Sequence, residues 1–119
     1  MAKRGNPAED VVETILERLK AQGNIIGFLR NRASDRLDEE GIDFLIFLLS
    51  GFALPLQVKT CNSNDKREYD NKLQEHKRKH PLVRFLICVR TNLLANESER
   101  LYAIVERDIK NMTRRVLPP

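Results

Sequence analysis

Three polar side chains interrupt a stretch otherwise built of apolar residues: Asp43 near the start of one run, and Gln57 and Lys59 near the end of the next. A carboxylate and an amide carbonyl are hard oxygen donors of the kind Mg²⁺ or Mn²⁺ accepts, and such a cation takes phosphate oxygens as further ligands. An ammonium group beside that centre can orient an attacking water or help deprotonate it, and can stabilise charge growing on phosphorus oxygens. The chemistry within reach of this set is phosphodiester hydrolysis. Taken singly, each residue has a plainer reading, an Asp that opens a strand and a Gln-x-Lys pair on a solvated face. Their gathering on apolar strands is what points to a site.

The elements that must position them follow from the flanking pattern. Residues 42–49 are almost wholly apolar, Ser50-Gly51 is a turn signal, and 53–60 is a second strand-like run, which together read as a hairpin covered on both faces. Side chains alternate along a strand, so Gln57 and Lys59 share a face. With an odd number of loop residues, positions summing to 100 or 102 oppose each other, which sets Asp43 against Gln57 or Lys59 on that same face. A two-residue loop would pair Asp43 with Val58 and scatter the set. The site therefore requires a three-residue or bulged turn.

Around the hairpin, Asn6-Pro7 opens a helix that carries Val12, Ile15, Leu16 and Leu19 as one apolar stripe and stops near Gly23. Residues 25–30 read as a first strand and 31–40 as a polar loop. Asn62 to Asn64 supply an N-cap for a helix over 65–79, whose only large apolar side chains are Tyr69 and Leu73 and which must lie largely exposed. Pro81 ends it. Residues 82–89 form a buried-type strand, 92–100 a polar connection, 101–106 a further strand and 108–116 a last helix. Tyr69 could stack on a base, but its spacing from Leu73 favours packing; His76 and His80 flank the basic run Lys77-Arg78-Lys79, which reads as a phosphate contact or, at least as readily, as a solvated helix end.

Length and composition agree with one domain over 1–119: the chain has 119 residues, 41% hydrophobic and 32% charged. Its longest apolar run, residues 44–49, is far short of the roughly 20 residues a bilayer demands, so no membrane association and an intracellular, cytoplasmic location are expected. Cys61 and Cys88 have no metal-type spacing and read as free thiols. No P-loop, dinucleotide fingerprint or nucleophile elbow is present. Charge is uneven: residues 62–90 carry eight basic side chains against four acidic, an excess equal to the net +4 of the chain. Such a face suits a polyanion, and Lys66, Arg67, Lys72, Lys77, Arg78 and Lys79 are the candidate nucleic-acid contacts. The plainer alternative is a solvated helix laced with i,i+4 ion pairs.

The segment Gly41-Ile42-Asp43-Phe44-Leu45-Ile46, thirteen residues between Asp43 and Gln57, and then Leu56-Gln57-Val58-Lys59-Thr60 resembles the PD-(D/E)XK nuclease superfamily, which includes archaeal Holliday-junction resolvases. The resemblance covers about three quarters of the chain. It implies an α/β fold with a restriction-endonuclease-like αβββαβ core, about residues 6–90, in which a mixed central sheet carries helices on both faces. Residues 91–119 would add a strand and a C-terminal helix. By position, Asp43 resembles the first acid of the motif, Gln57 stands where its second acid is usual, and Lys59 resembles its lysine. The backbone carbonyl of Val58 would be a further metal ligand, and a first-helix acid, Glu9 or alternatively Glu13, would lie near the metal. The Gln removes one negative charge from such a centre and weakens its hold on a cation. The function implied is Mg²⁺- or Mn²⁺-dependent hydrolysis of DNA rather than RNA, directed by DNA structure, in a homodimer. Two alternatives are a nucleic-acid-binding or assembly domain that keeps the fold without turnover, and an unrelated α/β protein that binds partner proteins through its charged helix.

Overall fold

Pro7 stands at the first helical position, where its missing N–H costs nothing, and Glu9 and Asp10 follow in the turn where the helix dipole favours acids. Helix α1 (Pro7–Ala21) buries Ala8, Val11, Val12, Ile15, Leu16 and Leu19 along one side. It ends in a Schellman motif: Gly23 N–H donates to the Lys20 carbonyl at 3.0 Å and Asn24 N–H to the Leu19 carbonyl at 2.9 Å. That motif requires a left-handed residue, which Gly23 supplies with φ 77°. The computed structural model describes residues 7–31, 41–61, 66–81, 83, 85–90, 93 and 98–116. All but Asn31 of the expected 31–40 loop, the N-cap at Asn62 to Asn64, Asn6 and most of the 92–100 connection lie outside the described residues, and residues 98–100 of that connection are helical instead.

Strands β1 (Gly27–Arg30), β2 (Phe44–Phe47), β3 (Ala53–Cys61) and β4 (Phe85–Arg90) form one open sheet in the order β1-β2-β3-β4. The first three are antiparallel neighbours, and β4 joins β3 in parallel. A parallel neighbour needs a crossover, and helix α2 (Lys66–Lys79) provides it. The hairpin between β2 and β3 closes with Leu48 N–H on the Phe52 carbonyl and Gly51 N–H on the Leu48 carbonyl, both 2.9 Å. Leu49, Ser50 and Gly51 are thus a three-residue loop whose last residue is left-handed, with φ 94°, as the geometry of such loops requires. Phe44 pairs with Leu56 and Phe47 with Ala53, the register in which partners sum to 100.

Alternation then sorts the side chains. Phe44, Ile46, Leu48, Leu54, Leu56, Val58, Ile87 and Val89 lie in one apolar cluster with α1 and with Leu101, Val105, Ile109 and Met112 of helix α3 (Ser98–Val116). Gln57 and Leu86, paired in the β3–β4 register, take the opposite parity and are buried on the α2 side, where Tyr69 Oη donates to the Leu86 carbonyl at 3.4 Å. The chain is an α/β protein, with a mixed four-stranded sheet and three helices among the described residues. No helix among the described residues is long and apolar enough to cross a membrane.

Two expectations are corrected. Residues 101–106 are helical, part of one 19-residue helix, and no additional strand forms there. A run of Leu, Tyr, Ala, Ile and Val closed by Glu106 does not separate strand from helix; the burial of Leu101, Val105, Ile109 and Met112, spaced by four, four and three, does. Cys61 and Cys88 are not free thiols but a disulfide, with Cα atoms 5.5 Å apart on adjacent strands. Their proximity depends on the parallel register of β3 with β4, which no local spacing encodes. The cross-link closes a loop of sequence separation 27, for which loss of unfolded-chain entropy corresponds to about 3.5 kcal/mol. Reduction with dithiothreitol is therefore expected to lower the urea midpoint, and an unchanged midpoint would mean that the cross-link does not stabilise the fold.

Candidate active site

Asp43 sits where the β2 ladder gives out. Its N–H donates to the Leu56 carbonyl on one side and its carbonyl accepts from Asn31 N–H on the other, each at 2.9 Å, so the chain is kinked at this residue. Its carboxylate Oδ2 accepts the Val58 N–H at 2.8 Å, taking the place of a backbone carbonyl in the ladder. The residues on either side of Val58 are Gln57 and Lys59. In a strand the N–H and C=O of one residue point to the same neighbour, so the Val58 carbonyl shares the strand edge that Asp43 occupies.

Gln57 is 7% exposed and its Oε1 lies against Nδ1 of His76. Nε2 of His76 lies 2.5 Å from the Val83 carbonyl. His76 is 2% exposed, which corrects its expected place at a solvated helix end. The sequence did hold a signal for it: His76 follows Tyr69 and Leu73 at i+7 and i+3, completing their stripe on the buried side of α2. Lys59 is exposed, and together with Gln57, His76, Lys72, Glu75, Lys79 and His80 it lines a cleft of about 250 Å³ between β3 and α2. Glu75 is paired with Lys79 at 2.8 Å, which holds its carboxyl below the usual range. Gly41 closes against the end of α2: a Cβ there would meet the His80 ring at 2.6 Å, and φ is +76°. The turn before Asp43 is thereby seated on the helix that carries His76.

Of the expected nucleic-acid contacts, Lys72 and Lys79 reach this cleft, whereas Arg67, Lys77 and Arg78 are exposed elsewhere along α2 and Lys66 begins it. Glu9 and Glu13 gather instead on Arg30, a residue the sequence reading passed over. Arg30 Nη1 lies 2.7 Å from Glu13 and 2.8 Å from Asp10, and its Nε lies 3.6 Å from Glu9. Burial opposes the charge of the guanidinium, yet its bonds to Asp10 and Glu13 outweigh this and raise its pKa. It also stacks over the Phe44 ring at 5.8 Å. Since Arg30 pairs with Phe44, this cluster stands at the same end of the sheet as Asp43, on the α1 side. No three His, Cys, Asp or Glu side chains converge as a metal cluster among the described residues.

Burial pushes the His76 pKa down, and His80 and Lys59 push the same way, against the Val83 carbonyl and Asp43. The unfolded chain, with His76 near its ordinary value of 6.5, then binds a proton more readily than the folded one. The contribution of neutral His76 to stability is complete above that value and is lost as pH falls below it, at up to about 1.4 kcal/mol per pH unit. Urea midpoints measured from pH 8 to pH 5 are expected to show this decline, and His76→Phe to flatten it. An equal decline in the variant would assign it to other groups.

Comparison of the chain with protein-family models, with curated proteins and with solved structures finds no match.

Proposed function

We propose that this chain is a metal-dependent nuclease that hydrolyses phosphodiester bonds in DNA, built on a restriction-endonuclease-like core. The observation that carries the reading is the bond from Val58 N–H to the Asp43 carboxylate. It sets the acid against the one residue flanked by Gln57 and Lys59. The order α, β, β, β, α, β over the first six described elements agrees with the αβββαβ pattern of the PD-(D/E)XK superfamily.

The donor set fits a hard divalent ion. Asp43 would offer a carboxylate, Val58 a backbone carbonyl on the same strand edge and, with its amide turned from His76, Gln57 an amide oxygen, all donors suited to Mg²⁺ or Mn²⁺. Such an ion, when bound, would supply Lewis acidity for the attack of water on phosphorus. Lys59 stabilises the negative charge that grows on the phosphoryl oxygens and orients the attacking water. Lys72 and Lys79 hold the phosphate backbone along the cleft, without reading bases. Glu9 and Glu13 belong to the Arg30 cluster at the same sheet end, where they keep the strand that flanks Asp43 in place. No separate base-reading element stands among the described residues, so recognition of a branched or otherwise irregular DNA, by a homodimer with two centres, is the form of the activity we propose.

The neutral Gln57 favours a second reading, a DNA-binding domain of the same fold without turnover. Incubation with branched, single-stranded and duplex DNA in Mg²⁺ or Mn²⁺ separates the two. Metal-dependent cleavage that is lost in Asp43→Ala and Lys59→Ala supports the nuclease. Binding that weakens steeply with salt, without cleavage of any substrate, supports the second reading. Absence of binding at low salt overturns both.

A further inference from the structure

An amide is a poorer choice than a carboxylate for a cation site for a reason beyond charge. Both ends of a carboxylate are oxygen, whereas only one end of Gln57 is; the other is an NH₂ that repels a cation. A site that uses Gln57 must therefore control which way its amide is turned, and the side chain facing that amide is His76.

We infer that His76 is a positioning residue that holds Gln57 by its NH₂, so that the amide oxygen lies on the edge away from the imidazole as a donor for the ion. The inference rests on the metal-site reading above. Its basis is a count of donors and acceptors. Two atoms face the ring: the Val83 carbonyl at Nε2, which can only accept, and the terminal amide of Gln57 at Nδ1. With Oε1 turned to Nδ1, both ring nitrogens face acceptors, and only a doubly protonated ring satisfies them. A neutral ring carries one N–H, which Val83 claims, and its bare Nδ1 then accepts from the amide. Turning the amide about its last bond exchanges groups of the same shape and meets this demand at no cost in packing.

Burial favours the neutral arrangement, since His76 and Gln57 are both buried. Lys59 from β3, Lys72, Glu75 and Lys79 from α2, and His80 just past its end line the same cleft, where Glu75 is paired with Lys79.

Two measurements test this. The first is the nitrogen NMR signature of His76 in ¹⁵N-histidine-labelled, metal-free protein at pH 7.5. A neutral ring protonated at Nε2 with a bare Nδ1 is expected, and an imidazolium or an Nδ1–H tautomer overturns the inference. The second is Mn²⁺ affinity in a double-mutant cycle. His76→Phe is expected to weaken Mn²⁺ binding about 10-fold in the native background. It is expected to change it less than about 3-fold in a Gln57→Glu background, where both ends are oxygen. Equal loss in both backgrounds would show that His76 acts only by supporting the fold, and overturns the inference. If His76→Phe does not fold, the NMR result on the native chain decides. Native protein that binds no Mn²⁺ but shows the expected tautomer would remove the metal-site reading while leaving the orientation of Gln57 as inferred.

Discussion

Asp43→Asn and Lys59→Ala are each expected to lower Mg²⁺-dependent DNA cleavage by about 10²–10⁴-fold. The Asn variant is the sharper probe. Its side-chain oxygen can still accept the Val58 N–H that Asp43 accepts at 2.8 Å, so the strand end keeps its bond while the proposed cation site loses its only carboxylate from the hairpin. Lys59 is exposed, so its removal leaves stability within about 0.5 kcal/mol and takes away one positive charge from the cleft. Single-turnover cleavage of a labelled branched DNA, read beside binding at low salt, checks both. The expected pattern is loss of rate with binding retained within a few-fold. Cleavage at the native rate in either variant would remove that residue from the proposed chemistry.

Phe44→Ala is expected to cost about 3–5 kcal/mol of stability. The ring is fully buried, packs 6.2 Å from the Phe28 ring and lies beneath the Arg30 guanidinium. It also follows Asp43 directly, so the cavity opens under the kink that aims the carboxylate. Against a typical total of about 5–15 kcal/mol, a loss of this size leaves a large unfolded fraction. Urea unfolding followed by circular dichroism measures it, and Phe44→Leu, which retains most of the volume, is expected to lose less than half as much. A loss below about 1 kcal/mol for the Ala variant would mean that this end of the sheet is not packed as described.

The parts that could be read from the chain itself are those governed by local chemistry. Helix α1 announced its start with Pro7, its dipole with Glu9 and Asp10, and its stop with Gly23. The parity argument on Asp43, Gln57 and Lys59 required an odd turn, and the three residues from Leu49 to Gly51 form one, while the regular pairing runs back only to Phe44 against Leu56. The kink at Asp43 was not foreseen, because it arises from hydrogen bonds to two different strands at once. Three further features escaped for a related reason. The Cys61–Cys88 link depends on the parallel register, the acids around Arg30 on how α1 lies over β1, and the burial of His76 on how α2 lies against Gln57 of β3. Each is a contact between elements distant in sequence. The false strand over 101–106 had a different origin: a window of six residues is too short to reveal a 3.6-residue period, whereas the span to Met112 makes it plain.

The claim on which the rest depends is that Asp43, Gln57, Val58 and Lys59 surround a single divalent-ion site. Titration of ¹⁵N-labelled protein with Mn²⁺ tests it without reference to any substrate, since the ion broadens amide signals steeply with proximity. The expected result is broadening centred on Asp43 and on residues 57 to 59 at sub-stoichiometric Mn²⁺, abolished by Asp43→Asn. Broadening centred instead on Glu9, Asp10 and Glu13, or no localised broadening at millimolar Mn²⁺, would contradict it.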